Sequence, residues 1–206
     1  MVLLSTAYFP PTEYFAVLAK YSVIYLEACE NYQKQSYRNR CRFLAADGVQ
    51  DLRVPVVHEN GTFSLPIREI RVDYSTPWVV KTERAIASAY SSSPFFEYYR
   101  DQLFAILDAH PETLFELNLR LIRFFMQKCG FQTEIRLTED FIRPGDVDGL
   151  DLREVIHPKR PDTLLEDLGL KKPYYQVFAR KYGFKSSLSV MDLLFNEGPN
   201  ALSFLR

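Results

Sequence analysis

Cysteine is scarce, charge is balanced and long apolar runs are missing, and each shortage removes a class of function. Cys29, Cys41 and Cys129 are the three cysteines in 206 residues. They lie far apart with no CxxC or CxxxC spacing, which argues against a disulfide framework or a structural zinc site and predicts three reduced thiols. A formal net charge of −1 at pH 7 gives no bulk attraction to nucleic acid or an anionic membrane. Nowhere does an apolar run approach the ~20 residues of a spanning helix. Residues 1–15 hold a short apolar patch with no basic stretch before it, and Pro10, Pro11 and Glu13 follow closely. They predict a first strand rather than a signal peptide, and hence a cytoplasmic protein. The lack of a GxxxxGK or GxGxxG loop counts against an ATPase or nicotinamide site. It leaves open a diphosphate held by side chains and helix N-termini. His58, His110 and His157 have no metal-ligand spacing, and no metal is expected.

Core material is plentiful. Hydrophobic residues make up 47% of the chain and charged residues 25%, the balance of a globular protein with one sizeable core. Thirteen tyrosines and sixteen phenylalanines stand against one tryptophan. Phenylalanine packs freely in a core, whereas buried tyrosine hydroxyls need partners, which favours a groove or an interface.

The apolar pattern begins as strand, helix, strand: residues 2–5, a helix entered at Pro11 with Phe15, Leu18 and Ala19 inward, and residues 23–26. In an open parallel sheet the loop after the first strand borders the ligand side, which places Tyr8, Phe9 and Glu13 near a site. Strand character returns at 41–44 and 52–57, separated by a turn at Asp47-Gly48. A turn at Glu59-Asn60-Gly61 follows, and residues 66–72 alternate partly, as an edge strand does. Three helices come next. The first has Thr76 as N-cap and Pro77 at its first position, the second follows Ser93-Pro94, and the third runs from Pro111 to a C-cap at Gly130. Residues 132–137 read as a strand and 189–196 as a final helix. The prediction is an α/β fold, a central mostly parallel or mixed sheet with packed helices, as a single domain over 1–206. Its irregular acidic segment, at about 138–168, is expected to hold short helices near 151–156 and 164–168 or to cover an active site.

Tyr8-Phe9-Pro10, Tyr14-Phe15, Tyr32-Gln33-Lys34 and Arg38-Asn39-Arg40 together resemble the signature of the WbqC-like protein family. The likeness continues through Val54-Pro55-Val56, Trp78, Ala89-Tyr90, Pro94-Phe95-Phe96 and Leu117-Asn118 to Tyr175-Gln176 and the helix at 188–196. Members are associated with gene clusters for O-antigen and other surface polysaccharides. The resemblance therefore implies a role in building or decorating an activated sugar, and transfer of a small acyl or aminoacyl group is one form of it. The first loop departs from the family pattern, which usually carries a glutamine and an asparagine there: Thr6, Ala7, Pro11 and Thr12 stand in that neighbourhood with Tyr8 and Pro10 retained, and Glu27 with Ala28 stands where an aspartate pair is usual. These departures bear on substrate choice or on the level of activity.

Arg38 and Arg40 share one direction if they enter a strand, whereas on a helix they diverge by about 200°. The expectation is that both, with Lys34, hold the phosphate or carboxylate of a sugar derivative, because the guanidinium fork matches such oxygens. Ion pairs to Glu27, Glu30 or Asp47 are the alternative. Glu27 and Glu30 lie just beyond a strand, where a carboxylate binds a hydroxyl or amine or acts as a base. His157, in a loop stiffened by Pro158, is the histidine chosen for acid–base work. Cys41 beside arginines is either a thiolate nucleophile or a core residue. Asn118 interrupts an apolar helix face, so it ties a loop or enters the site. Tyr175 and Gln176 are expected on the opposite wall, and Tyr8, Tyr32 and Asn39 complete the binding set. The function expected is transfer onto a nucleotide- or lipid-linked amino sugar, with a non-catalytic binding module as the rival.

Overall fold

The structure is a computed structural model and describes residues 1–58, 61–160, 163–170 and 172–206. Two β-branched or leucine-rich segments form the centre of the main sheet. Strand β1 (Val2–Ser5) is buried along its whole length, as a central parallel strand covered on both faces must be. Helix α1 (Thr12–Lys20) follows, with Pro11 in the extended cap position and Phe15 and Leu18 fully buried. It returns the chain to strand β2 (Val23–Glu27), which runs parallel to β1 with Leu3 opposite Tyr25 and Ser5 opposite Glu27. Strands β3 (Arg40–Ala45) and β4 (Gly48–Arg53) form a separate antiparallel hairpin. Gly48, at φ +105°, closes the turn without the strain a side chain would add there.

The expected strand over 52–57 stops at Arg53, because Pro55 offers no N–H to a ladder. The expected edge strand at 66–72 is instead a 3-10 turn over Ile67–Glu69, flanked by single bridges from Pro66 to Asn31 and from Val72 to Val56. Ile67 and Ile70 are both buried and stand three apart, a helical rather than a strand period. Glu59 and Asn60, of the expected turn, lie outside the described residues.

Three helices then cover the core. In α2 (Trp78–Tyr90) Pro77 takes the cap, and the backbone carbonyl of Thr76 accepts from Trp78 N; its side chain does not cap the helix. After α3 (Phe96–Asp108) comes α4 (Leu114–Cys129), where Thr113 rather than Pro111 marks the start: its hydroxyl accepts from Glu116 N at 3.2 Å. Gly130 ends α4 at φ +80°, as the sequence implied. Strand β5 (Glu134–Leu137) joins β2, and the two-residue strand β6 (Leu150–Asp151) joins the free side of β1. Short α5 (Leu164–Asp167) and α6 (Ala179–Tyr182) precede α7 (Val190–Glu197), capped by Ser189 and ended at Gly198. Residues 153–156 form a turn where a short helix was expected, because Asp151 captures Arg153 N with its own carboxylate at 3.1 Å.

The main sheet has the order β5-β2-β1-β6, parallel throughout. This is an α/β fold of one domain with helices packed on a parallel sheet. Among its four strands, successive connections run outward from β1 through β2 to β5, and then cross back to β6. The direction reverses between β1 and β6, and at such a reversal loops part and leave a crevice outside the carboxyl ends.

Candidate functional site

Ser5, Glu27, Leu137 and Asp151 are the last residues of the four parallel strands. Beyond them opens a cleft of about 490 Å³. One wall is Cys29, Glu30, Asn31 and Gln33, from the loop after β2. Phe141 and Pro144 come from the loop after β5, and Arg153 and Glu154 follow Asp151 at the end of β6. The acidic segment thus supplies much of the wall.

Glu27 holds these loops together. It is fully buried and accepts from Cys29 N (3.0 Å), the Thr138 hydroxyl (2.6 Å), Ile142 N (3.1 Å) and the Arg153 guanidinium (3.2 Å). A carboxylate has about four acceptor sites, so Glu27 is occupied by protein and organises the walls. Arg153 also forks onto Asp151 at 2.9 and 2.6 Å and donates to the Ile142 carbonyl at 2.7 Å. The Arg153 hydrogen bond holds the Asp151 carboxyl below the usual range.

Arg38 does not share an anion with Arg40. It precedes β3, is 2% exposed, and forks onto Glu30 at 2.8 and 2.6 Å, while also donating to Ser5 Oγ at 2.7 Å and Gln33 Oε1 at 3.2 Å. Arg40 instead faces Asp51 at 3.7 Å. The expected two-arginine clamp is corrected by this geometry, and the alternative of an ion pair to Glu30 is what forms: burial makes a carboxylate partner obligatory for Arg38, which Glu30 and Gln33 of the preceding loop receive together with Ser5 at the end of β1. Glu30 is 5% exposed, and burial pushes its carboxyl up against the pull of Arg38 and Ser5.

Other nominated residues fall around this centre or away from it. Asn118 donates to the Arg38 carbonyl at 2.8 Å and so ties the 37–39 segment to α4. Asn39 donates to the Val54 carbonyl. Tyr32 is buried, and burial raises its hydroxyl to about 12 despite Arg40 and Arg38. Tyr8 is fully buried, packed edge-on to Phe9 at 4.6 Å, and belongs to the core rather than the cleft. Lys34 is exposed beside Gln33. His157 lines a separate small recess with Glu13, Arg42 and Arg160, and burial lowers its pKa. Gln176 is buried against Asp192 and Lys185, and Tyr175 is 56% exposed; neither lines the cleft. Cys41 is buried, which pushes its thiol up and fits the core reading.

Sequence reading missed Asp151, Arg153, Glu154 and Phe141. The spacing Asp-x-Arg in a segment already suspected as a cover was the available signal. Among the described residues, no cluster of three or more His, Cys, Asp or Glu is arranged to hold a metal. No helix of the described residues is long and apolar enough to cross a membrane.

The model of the WbqC-like protein family matches residues 6–156. That span starts in the loop after β1 and ends just beyond the cleft residues Arg153 and Glu154. The chain belongs to the WbqC-like protein family. The family is linked in general to surface-polysaccharide biosynthesis. The chain is also similar to the uncharacterized protein Rv1507c of Mycobacterium tuberculosis, with 26% identity over 230 aligned positions covering 100% of this chain and 97% of that protein. No solved structure matches.

Proposed function

We propose that the protein is a cytoplasmic transferase that moves a small acyl or aminoacyl group onto a nucleotide- or lipid-linked amino sugar for surface polysaccharide. The observation that carries this reading is the cleft of about 490 Å³ outside the carboxyl ends of β1, β2 and β6. Its volume is within the range of small-molecule sites, and its place is where parallel sheets bind ligands. Phe141, 48% exposed on the cleft wall, offers a face for a sugar ring. Glu30 is the carboxylate for the acceptor amine or hydroxyl: burial moves it toward the range of a general base, and Arg38 fixes its orientation. Lys34, beside Gln33, is the cation for the phosphate of the carrier, and His157, in its separate recess, has no part in this reading. The family's pathway supports the sugar.

A non-catalytic sugar-binding module is the second reading, favoured by the engagement of Glu30 with Arg38 and Ser5. Thermal unfolding with nucleotide-sugars and with acyl or aminoacyl donors separates the two. A ligand at 100 times its Kd adds about 2.7 kcal/mol, or about 5–10 °C for a chain of this size. Separate shifts from sugar and donor support the transferase, and a shift from sugar alone supports the module. Phe141→Ala should weaken the sugar response by about tenfold in affinity, the weight of one aromatic contact. An unchanged response in that variant, or none in the wild type, removes the cleft from the account.

A further inference from the structure

The buried or half-buried arginines are Arg38, Arg40, Arg42, Arg100 and Arg153. All but Arg42 face a carboxylate: Glu30, Asp51, Glu97 and Asp151 serve Arg38, Arg40, Arg100 and Arg153 in turn. Among the described residues the Arg42 side chain donates only to the Pro158 carbonyl and forms no ion pair. A carbonyl takes one of the five N–H donors of a guanidinium and does not neutralise its charge. A half-buried cation in that state calls for an anion.

Arg42 lines the recess of about 20 Å³ that also holds His157, Arg160, Tyr37, Glu13 and Ser187. Strand β3, helix α1 and the turn over residues 157–160 meet there. Arg160 is exposed, and its guanidinium has no partner among the described residues. His157 Nδ1 accepts from Lys159 N at 3.2 Å, which leaves the ring proton on Nε2 for donation. Burial, against the pull of Glu154, lowers the His157 pKa and so favours this neutral ring. Among the described residues Glu13 is the one carboxylate of the lining, against two guanidiniums. The volume admits one or two oxygen-sized atoms and no sugar ring. Its occupant is therefore a small anionic group. The cleft is a poorer place for such a group: its lining sets Glu30, Asp151 and Glu154 against Arg153, whose donors go to Asp151, Glu27 and the Ile142 carbonyl.

We infer that the recess is a phosphate site separate from the cleft, in which Arg42, Arg160 and the Nε2–H of His157 hold the oxygens of one phosphate group. Guanidinium forks match phosphate oxygens, and three donors suit three oxygens. This goes beyond the transferase reading and does not depend on it. The phosphate is free or forms the end of a larger ligand. Glu154 lines the cleft and Val155, the next residue, lines the recess, so a ligand seated in both crosses one exposed ridge.

The test is NMR of the His157 ring and the backbone amides of the full chain at about pH 7.5, where phosphate is largely dianionic, with ionic strength held constant. The probes are inorganic phosphate, acetate and uridine diphosphate. Phosphate should shift the His157 ring and the 157–160 amides, and should bind about tenfold tighter than acetate, which offers less charge and one oxygen fewer. Arg160→Gln should weaken phosphate about tenfold, the weight of one charge-assisted hydrogen bond. It should leave Tm unchanged, because that side chain holds nothing in the folded chain. Lys34→Gln should leave the phosphate response at His157 intact. Uridine diphosphate that shifts His157 supports the site as the seat of a larger ligand's phosphate. Inorganic phosphate that binds where uridine diphosphate does not supports it as a site for free phosphate. A His157 ring that no phosphate moves, acetate binding as tightly as phosphate, or full phosphate affinity in Arg160→Gln overturns the inference. So does a response lost in Lys34→Gln, and each of these results leaves the cleft reading standing.

Discussion

Glu154 lines the cleft and Glu27 lies buried behind its walls, and the difference in what surrounds them sets what each substitution should do. Glu27 is wholly buried with four donors on it, one of them Arg153. Glu27→Gln leaves part of a buried ion pair uncompensated, so it should cost about 3–5 kcal/mol in urea unfolding. Glu154→Gln, half-exposed and accepting no hydrogen bond from a described residue, should change stability by about 0.5 kcal/mol at most. Similar costs for the two would contradict the assignment of Glu27 as the hub of the loops. Asp192 carries a separate, pH-dependent signal. Burial raises its carboxyl to about 6, against the pull of hydrogen bonds from Tyr174 at 2.7 Å and Gln176 at 2.9 Å. That value exceeds the ~3.9 of an unfolded chain, so the folded state holds the proton more tightly. The stability this group contributes is complete below about pH 4 and is lost as pH rises through about 6, on the order of 2–3 kcal/mol. Asp192→Asn should remove that fall. Wild-type and variant unfolding curves that run parallel from pH 4 to 7 would refute it.

At the scale of elements, how much could be read in advance depended on how local the cause was. β1, β2, α1 and the end of α4 follow from adjacent residues: a run of buried aliphatics, Phe15 and Leu18 on one helix side, and Gly130 as C-cap, whereas the start of α4 was expected at Pro111 and lies at Thr113. For Arg38 local sequence left a ligand anion and an ion pair to Glu30 as alternatives, and Ser5, which helps to hold it against Glu30, arrives from the end of β1. Strand β6, two residues long, could not be recognised by any period; its pairing with Val2 and Leu3 creates it. Its entry is exacting. Gly149 sits at φ +132°, and a Cβ there would lie 2.2 Å from the Met1 carbonyl oxygen. Gly149→Ala must therefore displace β6, and with it Asp151 and Arg153. It should lower stability by about 2 kcal/mol or more and abolish sugar binding together. A variant that keeps both would show that β6 does not position the cleft.

For the molecule as a whole, sheet topology explains the site better than any single motif. The legible signature residues cluster at 8–15 and 32–40, yet Tyr8 lies in the core and Arg38 behind the cleft surface. Glu30 and Gln33 reach the surface itself, joined there by a segment the sequence left irregular. The order β5-β2-β1-β6 brings these parts to one edge, and Glu27 locks them. Amide NMR with a nucleotide-linked amino sugar tests that claim most directly. The account predicts shifts concentrated at 29–33, 141–144 and 151–154. Shifts centred instead on the shallow depression around Tyr21, Tyr25 and Arg136, with the cleft amides unmoved, would contradict it.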